Sequence, residues 1–175
     1  MSPERGENRI SLEEIVSNAK EIALRDGSHV PVLVVEGSQN LVVGQIPDLP
    51  GTHSERVELM RFLGQAAAKS GRLGQLQQVF MVSEGWMSMA SKDKLAETIP
   101  SQDPDRKEVL IISGMQMKGR NKQLKVFEIM RDRDEQVVSL EEFLPEEKKK
   151  EESVEIPLLD AFIEGFQLAF RTRYN

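Results

Sequence analysis

The sequence feature that most constrains the fold is an unbroken apolar run, Val109-Leu-Ile-Ile112, inside the predicted strand Lys107–Met115. A strand that is apolar on both faces is typical of the interior of a sheet that has other elements packed on both faces. The predicted strand Gln78–Trp86 also has apolar side chains on both faces. The sequence therefore predicts that a helix or another layer covers each face of this part of the sheet.

Two helices are predicted from capping boxes, in which two side chains each satisfy a backbone N–H of the other residue. Ser11 with Glu14 forms one such pair, and Thr52 with Glu55 forms the other. Apolar residues recur at helical spacing after each pair. We therefore expect one helix to begin at Ser11 and another at Thr52.

Segments rich in β-branched residues predict the remaining strands. Val30–Glu36 and Leu41–Ile46 flank Gly-Ser-Gln-Asn and predict a first hairpin. Leu124–Arg131 is predicted to form a second hairpin with Lys107–Met115, and Ser139–Leu144 is predicted to be a short helical turn. The expected element order is α-β-β-α-β-β-β-α. The fold class is α/β in a loose, α+β-like sense, with a mixed five-stranded sheet.

The predicted domain organisation has four parts. Residues 1–10 are polar and expected to be disordered, and residues 11–145 are expected to form one α/β domain. Residues 146–156 contain Glu-Glu-Lys-Lys-Lys-Glu-Glu, a charge run typical of a solvated linker. Residues 157–175 are predicted to be a C-terminal helix.

This C-terminal helix is the candidate interaction element. Its apolar residues cover more than one helical stripe, so we expect it to dock on its own domain or on a partner. Three of the seven Phe residues lie in it: Phe162, Phe166 and Phe170.

Composition excludes several kinds of site. The 29 acidic and 23 basic residues give a formal net charge of -6, which disfavours a large nucleic-acid surface. The absence of cysteine excludes disulfides, thiolate metal sites and cysteine nucleophiles. The glycines match no phosphate-binding motif, so no cofactor is predicted. Neither a signal peptide nor a bilayer-spanning run is recognisable, which favours a cytoplasmic protein without a membrane partner.

Three carboxylates are the candidate catalytic or metal-binding groups. Glu84 shares a strand face with apolar residues, which raise the pKa of a carboxyl and suit it to acid–base chemistry. Asp103 and Asp105 precede the next strand, and with Glu84 they would present oxygens to a hard cation. The alternatives are that Glu84 simply reaches solvent or pairs with a nearby Arg, and that Asp103-Pro-Asp-Arg106 is an ordinary turn.

A candidate binding patch lies at the same end of these strands. Trp86 and Met87 lie at the start of a long polar loop, and Arg106 lies at its end. Loops of this length in a compact domain are usually functional or mobile. The patch therefore predicts an exposed contact surface for a protein.

The leading functional prediction is a non-enzymatic interaction or accessory module that binds protein and self-associates through its C-terminal helix. The first alternative is a cation-dependent enzyme that uses Glu84, Asp103 and Asp105. A second alternative is nucleic-acid contact through the basic hairpin Lys118–Lys125, although charged turns more often prevent pairing at a sheet edge.

Overall fold

The computed structural model describes residues 9–87, 104–143 and 156–174. In these ranges the chain forms three helices and six strands, with a 3₁₀ turn at Lys118–Arg120. In chain order the elements are α1 (Leu12–Asp26), β1 (Val32–Gly37), β2 (Leu41–Gln45), α2 (His53–Ser70), β3 (Leu76–Met87), β4 (Lys107–Gln116), β5 (Asn121–Arg131), β6 (Val137–Glu142) and α3 (Pro157–Tyr174). None of the helices in these ranges is both long and apolar enough to cross a membrane.

The strands form one sheet in the order β2-β1-β3-β4-β5-β6, and each strand is antiparallel to its neighbours. Both predicted hairpins are confirmed, and the apolar run of β4 lies inside the sheet. The predictions of five strands and of a mixed sheet are wrong. Strands β2 and β3 run in the same direction because β1 lies antiparallel to both, so α2 connects two parallel strands that do not touch.

The sixth strand is the element that the sequence prediction missed. After β5 the chain turns at Asp132, whose Oδ1 accepts hydrogen bonds from the backbone N–H groups of Asp134 at 2.9 Å and Gln136 at 3.0 Å. The following Val137–Glu142 then pairs with β5. The helical turn predicted from Ser139 is therefore wrong, because pairing with a neighbouring strand outweighs a weak local preference for helix.

Helix α1 covers one face of the sheet. Ser11 caps it through a capping box, and Gly27 ends it in the left-handed conformation. Its buried residues pack on a core that includes apolar side chains from β1, β3, β4, β5 and β6. The helix itself lies over β4 and β6. The β1–β2 part of this face is consequently left beside the helix rather than under it.

Helices α2 and α3 cover the opposite face as a closely packed pair. Side chains of both helices share a core with apolar residues of β1, β3 and β4. A methyl group at Gly64 would overlap the carbonyl of Phe162, and one at Gly165 would overlap the carbonyl of Arg61. Glycine at these two contacts lets the helix backbones approach each other. The C-terminal helix is thus docked on its own chain.

Candidate functional site

Glu84, the predicted catalytic carboxylate, lies on the α1 face of β3, just beyond the end of the apolar core. Its Oε1 accepts a hydrogen bond from the backbone N–H of His29 at 2.6 Å. His29 follows the end of α1 and is itself buried. The carboxylate therefore fastens the chain after α1 to the central strand.

A second carboxylate, Glu108, lies on the same face of β4 and is paired with Arg131 at the end of β5. Two nearly parallel hydrogen bonds of 2.7 and 2.6 Å join the guanidinium to the carboxylate. Arg131 Nη1 also donates to the backbone carbonyls of Gly27 at 3.0 Å and Glu135 at 2.9 Å. This arrangement ties the end of α1, the β5–β6 turn and two strands together. We call Glu84, Glu108 and Arg131 the polar corner.

The electrostatics of the polar corner follow from burial and from two charges. Burial raises the pKa of the Glu84 carboxyl above its ordinary value. The hydrogen bond from His29 opposes this shift, the negative charge of Glu108 adds to it, and the positive charge of Arg131 opposes it. Since each of these groups already has a partner in the chain, the geometry favours a structural role for the corner.

The three predicted carboxylates are not brought together within the described residues. Asp103 lies outside them, and Asp105 is exposed just before β4. No group of three His, Asp or Glu side chains suited to a metal ion occurs in the ranges that the structure describes. The carboxylate that does lie near Glu84 is Glu108, which the sequence prediction did not select.

The predicted binding patch is partly assembled. The guanidinium of Arg106 lies 4.4 Å from the centre of the Trp86 ring, a cation–π contact between the two ends of the loop. Trp86 is exposed, and Met87 beside it is half-buried. In the basic hairpin, Lys122 pairs with Asp160 at 3.2 Å and Lys125 pairs with Glu142 at 2.6 Å. These acidic partners reduce the local positive charge.

The three predicted interaction Phe residues are largely covered by the chain itself. Phe162 and Phe166 are buried in the core between α2, α3 and the sheet, and Phe170 is partly buried against that core. Their rings form a continuous stack, with centroids 6.5 Å and 5.8 Å apart. In this arrangement Phe162 and Phe166 present no surface to a second molecule.

The surface that the sequence prediction missed is the edge strand β2. All five of its residues are exposed, and three of them are large and apolar: Leu41 at 49 %, Val42 at 42 % and Val43 at 62 %. Neither β2 nor its flanks from Gly37 to Pro47 contain a charged residue. Within the described ranges no strand lies beyond β2 in the sheet. An apolar, uncharged edge of this kind invites pairing with another chain.

Along β2, the N–H and C=O groups of successive residues point alternately toward β1 and toward the open edge of the sheet. Ile46 N donates to Pro31 O at 2.8 Å, and Gly37 N donates to Asn40 O at 2.9 Å. Because hydrogen-bonded positions alternate along an antiparallel pair, Val42 and Gly44 also bond to β1. The N–H and C=O groups of Leu41, Val43 and Gln45 consequently point outward. We call these three backbone positions the β2 edge.

A groove lies beside this edge, where α1 leaves the sheet uncovered. It has a volume of about 420 Å³ and is lined mainly by apolar side chains from α1, β1 and β2. Ile22 lines it from the helix, Val32 and Val34 from β1, and Val43 from β2. The Val43 side chain thus faces the groove while its backbone belongs to the β2 edge.

The comparisons with known proteins place the chain in a family. A family model described as Bacteriophage lambda protein ea47 matches residues 1–164. The chain belongs to this family. No curated protein and no solved structure gives a significant match. The ea47 match includes every element of the fold except the last part of α3, so the β2 edge and the polar corner both lie in the part of the chain that matches the family.

Proposed function

We propose that this member of the ea47 family is a protein-interaction or accessory module that binds an extended protein segment along the β2 edge. The observation that carries the proposal is the exposure of all five residues of β2, which include three large apolar side chains and no charge. An added strand gains affinity from main-chain hydrogen bonds and specificity from its alternate side chains. The β2 edge supplies the donors and acceptors.

The groove supports the same function, because it gives an added strand a place for its side chains. Residues that point to one face of the new strand would lie toward the groove, next to Val43. Those on the other face would lie near Val42, which is also exposed. Apolar residues at alternate positions of the bound segment are therefore expected to bind best.

Two functions expected from the sequence draw less support. Self-association through the C-terminal helix was expected to use its Phe residues, and two of them, Phe162 and Phe166, are covered by the chain's own core. A cation-dependent enzyme would use Glu84, whose oxygen accepts the His29 N–H, in a corner where Arg131 neutralises Glu108. The interaction surface proposed here is instead already exposed.

A peptide-selection experiment tests the proposal. A display library of unstructured peptides is selected on the full-length protein, and the selected peptides are measured on Val43→Lys and Val138→Lys. Val138 is a matched control, since it is 55 % exposed and lies on β6 at the opposite edge. We expect the selected peptides to have apolar residues at alternate positions. Their affinity should fall at least about tenfold for Val43→Lys and should not change for Val138→Lys. Peptides that bind both variants equally, or a selection on protein dilute enough to be monomeric that yields none, would contradict the proposal.

A further inference from the structure

The β2 edge is complementary to itself. Its outward positions are Leu41, Val43 and Gln45, and they are symmetric about Val43. If a second β2 strand is added antiparallel with the partner's Val43 opposite Val43, then Leu41 lies opposite the partner's Gln45. Each opposed pair is of the hydrogen-bonded type, in which both residues exchange N–H···O=C bonds. Every outward donor and acceptor of the edge is then satisfied.

We propose that the segment bound at the β2 edge is a second copy of this chain, paired through β2 about a two-fold axis at Val43. This inference rests on the proposed function and names its partner. A two-fold contact of this kind uses the same patch on both copies and closes after two. The two sheets become one continuous sheet.

The side chains on both faces suit this register. On the α1 face, Val43 lies against the partner's Val43, a pair of β-branched residues of the kind that stabilises antiparallel strands. On the other face, Val42 lies opposite the partner's Gly44, so the large side chain meets the smallest one. The exposed apolar area of β2 is therefore covered without a clash between large residues.

Charge also favours β2 over the rest of the surface. The chain carries a net charge of -6, so two copies repel each other over most orientations. The segment Gly37–Pro47 has no charged side chain, so this repulsion is reduced at the β2 edge. Pro47 lacks an N–H and would lie opposite the partner's Gln39, so pairing ends there.

The opposite edge explains why the second copy would use β2 rather than β6. Strand β6 carries Glu141 and Glu142, both exposed. A β2–β6 contact would be head-to-tail and would continue from copy to copy instead of closing. Acidic side chains along β6 oppose such growth. The contact between two β2 strands closes.

Sedimentation equilibrium of the full chain over a wide range of micromolar concentrations tests the inference. We expect wild type to form dimers, Val43→Lys to dimerise at least about tenfold more weakly because two like charges would face each other, and Val138→Lys to match wild type. Circular dichroism melts confirm that the variants fold. Should Val43→Lys misfold, Gln45→Pro replaces it, since proline removes an outward donor without touching the bonds to β1.

Two outcomes would overturn the inference. A wild-type protein that is monomeric throughout shows that the partner is not a second copy, while the peptide selection still reports on the proposed function. Dimers that persist unchanged in Val43→Lys show that the copies meet at another surface. If the peptide selection also yields nothing dependent on Val43, the proposed function fails as well.

Discussion

The two edges of the sheet differ in how they meet solvent. At one edge, β2 exposes Leu41, Val42 and Val43 and carries no charge. At the other, β6 buries Val137 and Leu140 under α1 and exposes Glu141 and Glu142. Natural sheets usually protect their edges with charges or covering elements. The comparison teaches that this chain protects one edge in the usual way and leaves the other suited to pairing.

The helices account for this asymmetry. Helix α1 lies over β4 and β6 and leaves the groove beside β1 and β2. The polar corner holds α1 in this position, because Arg131 donates to the carbonyl of Gly27 at the end of the helix and Glu84 accepts from the N–H of His29, two residues later. The uncovered groove beside the β2 edge is therefore a consequence of where α1 is anchored, and each link can be tested separately.

The largest expected effect comes from apolar residues that the chain covers itself. Phe162→Ala removes a ring from the core under α2 and α3, and we expect it to lower the free energy of unfolding by about 3–5 kcal/mol. Leu168→Ala, at a residue that is 60 % exposed on the same helix, should change it by less than about 0.5 kcal/mol. Urea denaturation measures both. Equal effects would mean that α3 is not an integral part of the fold.

The next effect concerns the anchor of α1. Arg131→Met leaves Glu108 without its partner and removes two hydrogen bonds to backbone carbonyls. We expect a loss of about 2–3 kcal/mol, because hydrogen bonds to charged groups in partly buried sites are worth more than exposed ones. Arg133→Met, at an exposed position in the adjacent turn, is the control. If Arg131→Met is as stable as this control, Arg131 does not anchor α1.

A smaller effect is expected from making the two edges alike. The double change Glu141→Val and Glu142→Val gives β6 an apolar, uncharged edge, so β6 should then pair with other copies. We expect assemblies larger than those of wild type, with association at least about tenfold stronger, or ~1.4 kcal/mol. Light scattering measures the mass. The control Glu13→Val and Glu58→Val makes the same charge change on exposed helix positions that do not line the groove beside β2, and equal growth there would show that net charge, not the edge, is responsible.

The smallest effect is a pH dependence at Glu84. Because burial raises its pKa in the folded chain, the folded state binds this proton more tightly than the unfolded state. The stabilisation that Glu84 gives the folded state is fully present below the pKa of the unfolded chain and is lost as pH rises through the pKa of the folded chain. Glu84→Gln should remove this pH dependence of the free energy of unfolding. The change should be no more than about 1 kcal/mol, because one pKa unit is about 1.4 kcal/mol and the carboxyl is partly solvated. Thermal melts across acidic pH that are parallel for both proteins would contradict this.

Much of the fold was predictable because local signals and final structure agree. The capping boxes at Ser11 and Thr52 begin helices, and the apolar run of β4 lies in the sheet interior. The sixth strand was missed because Ser139-Leu-Glu-Glu resembles a helix start and becomes a strand only through its pairing with β5. Antiparallel pairing throughout depends on contacts far apart in the sequence, which local patterns do not specify.

The candidate site was less predictable. The pKa of the Glu84 carboxyl is raised, as its apolar surroundings predict, but its oxygen accepts a hydrogen bond from the distant His29 N–H, and Asp103 lies outside the described residues. The β2 edge was missed because Leu41-Val-Val is equally compatible with a buried strand. Whether such a strand is central or at an edge depends on which strand pairs next. The one relevant feature of the sequence is the lack of charge in and around β2. It indicates an edge open to pairing only when the strand order already shows that β2 is an edge strand.

Amide hydrogen exchange along β2 tests the central claim most directly. Val42 and Gly44 donate to β1, so their N–H groups should exchange slowly at every concentration. Those of Leu41, Val43 and Gln45 point to the open edge, and we expect fast exchange in dilute protein and slow exchange as a second copy adds. Pairing of two β2 strands requires both this alternation and its dependence on concentration. Fast exchange of the three edge amides at all concentrations, in a protein that still forms dimers, would contradict it.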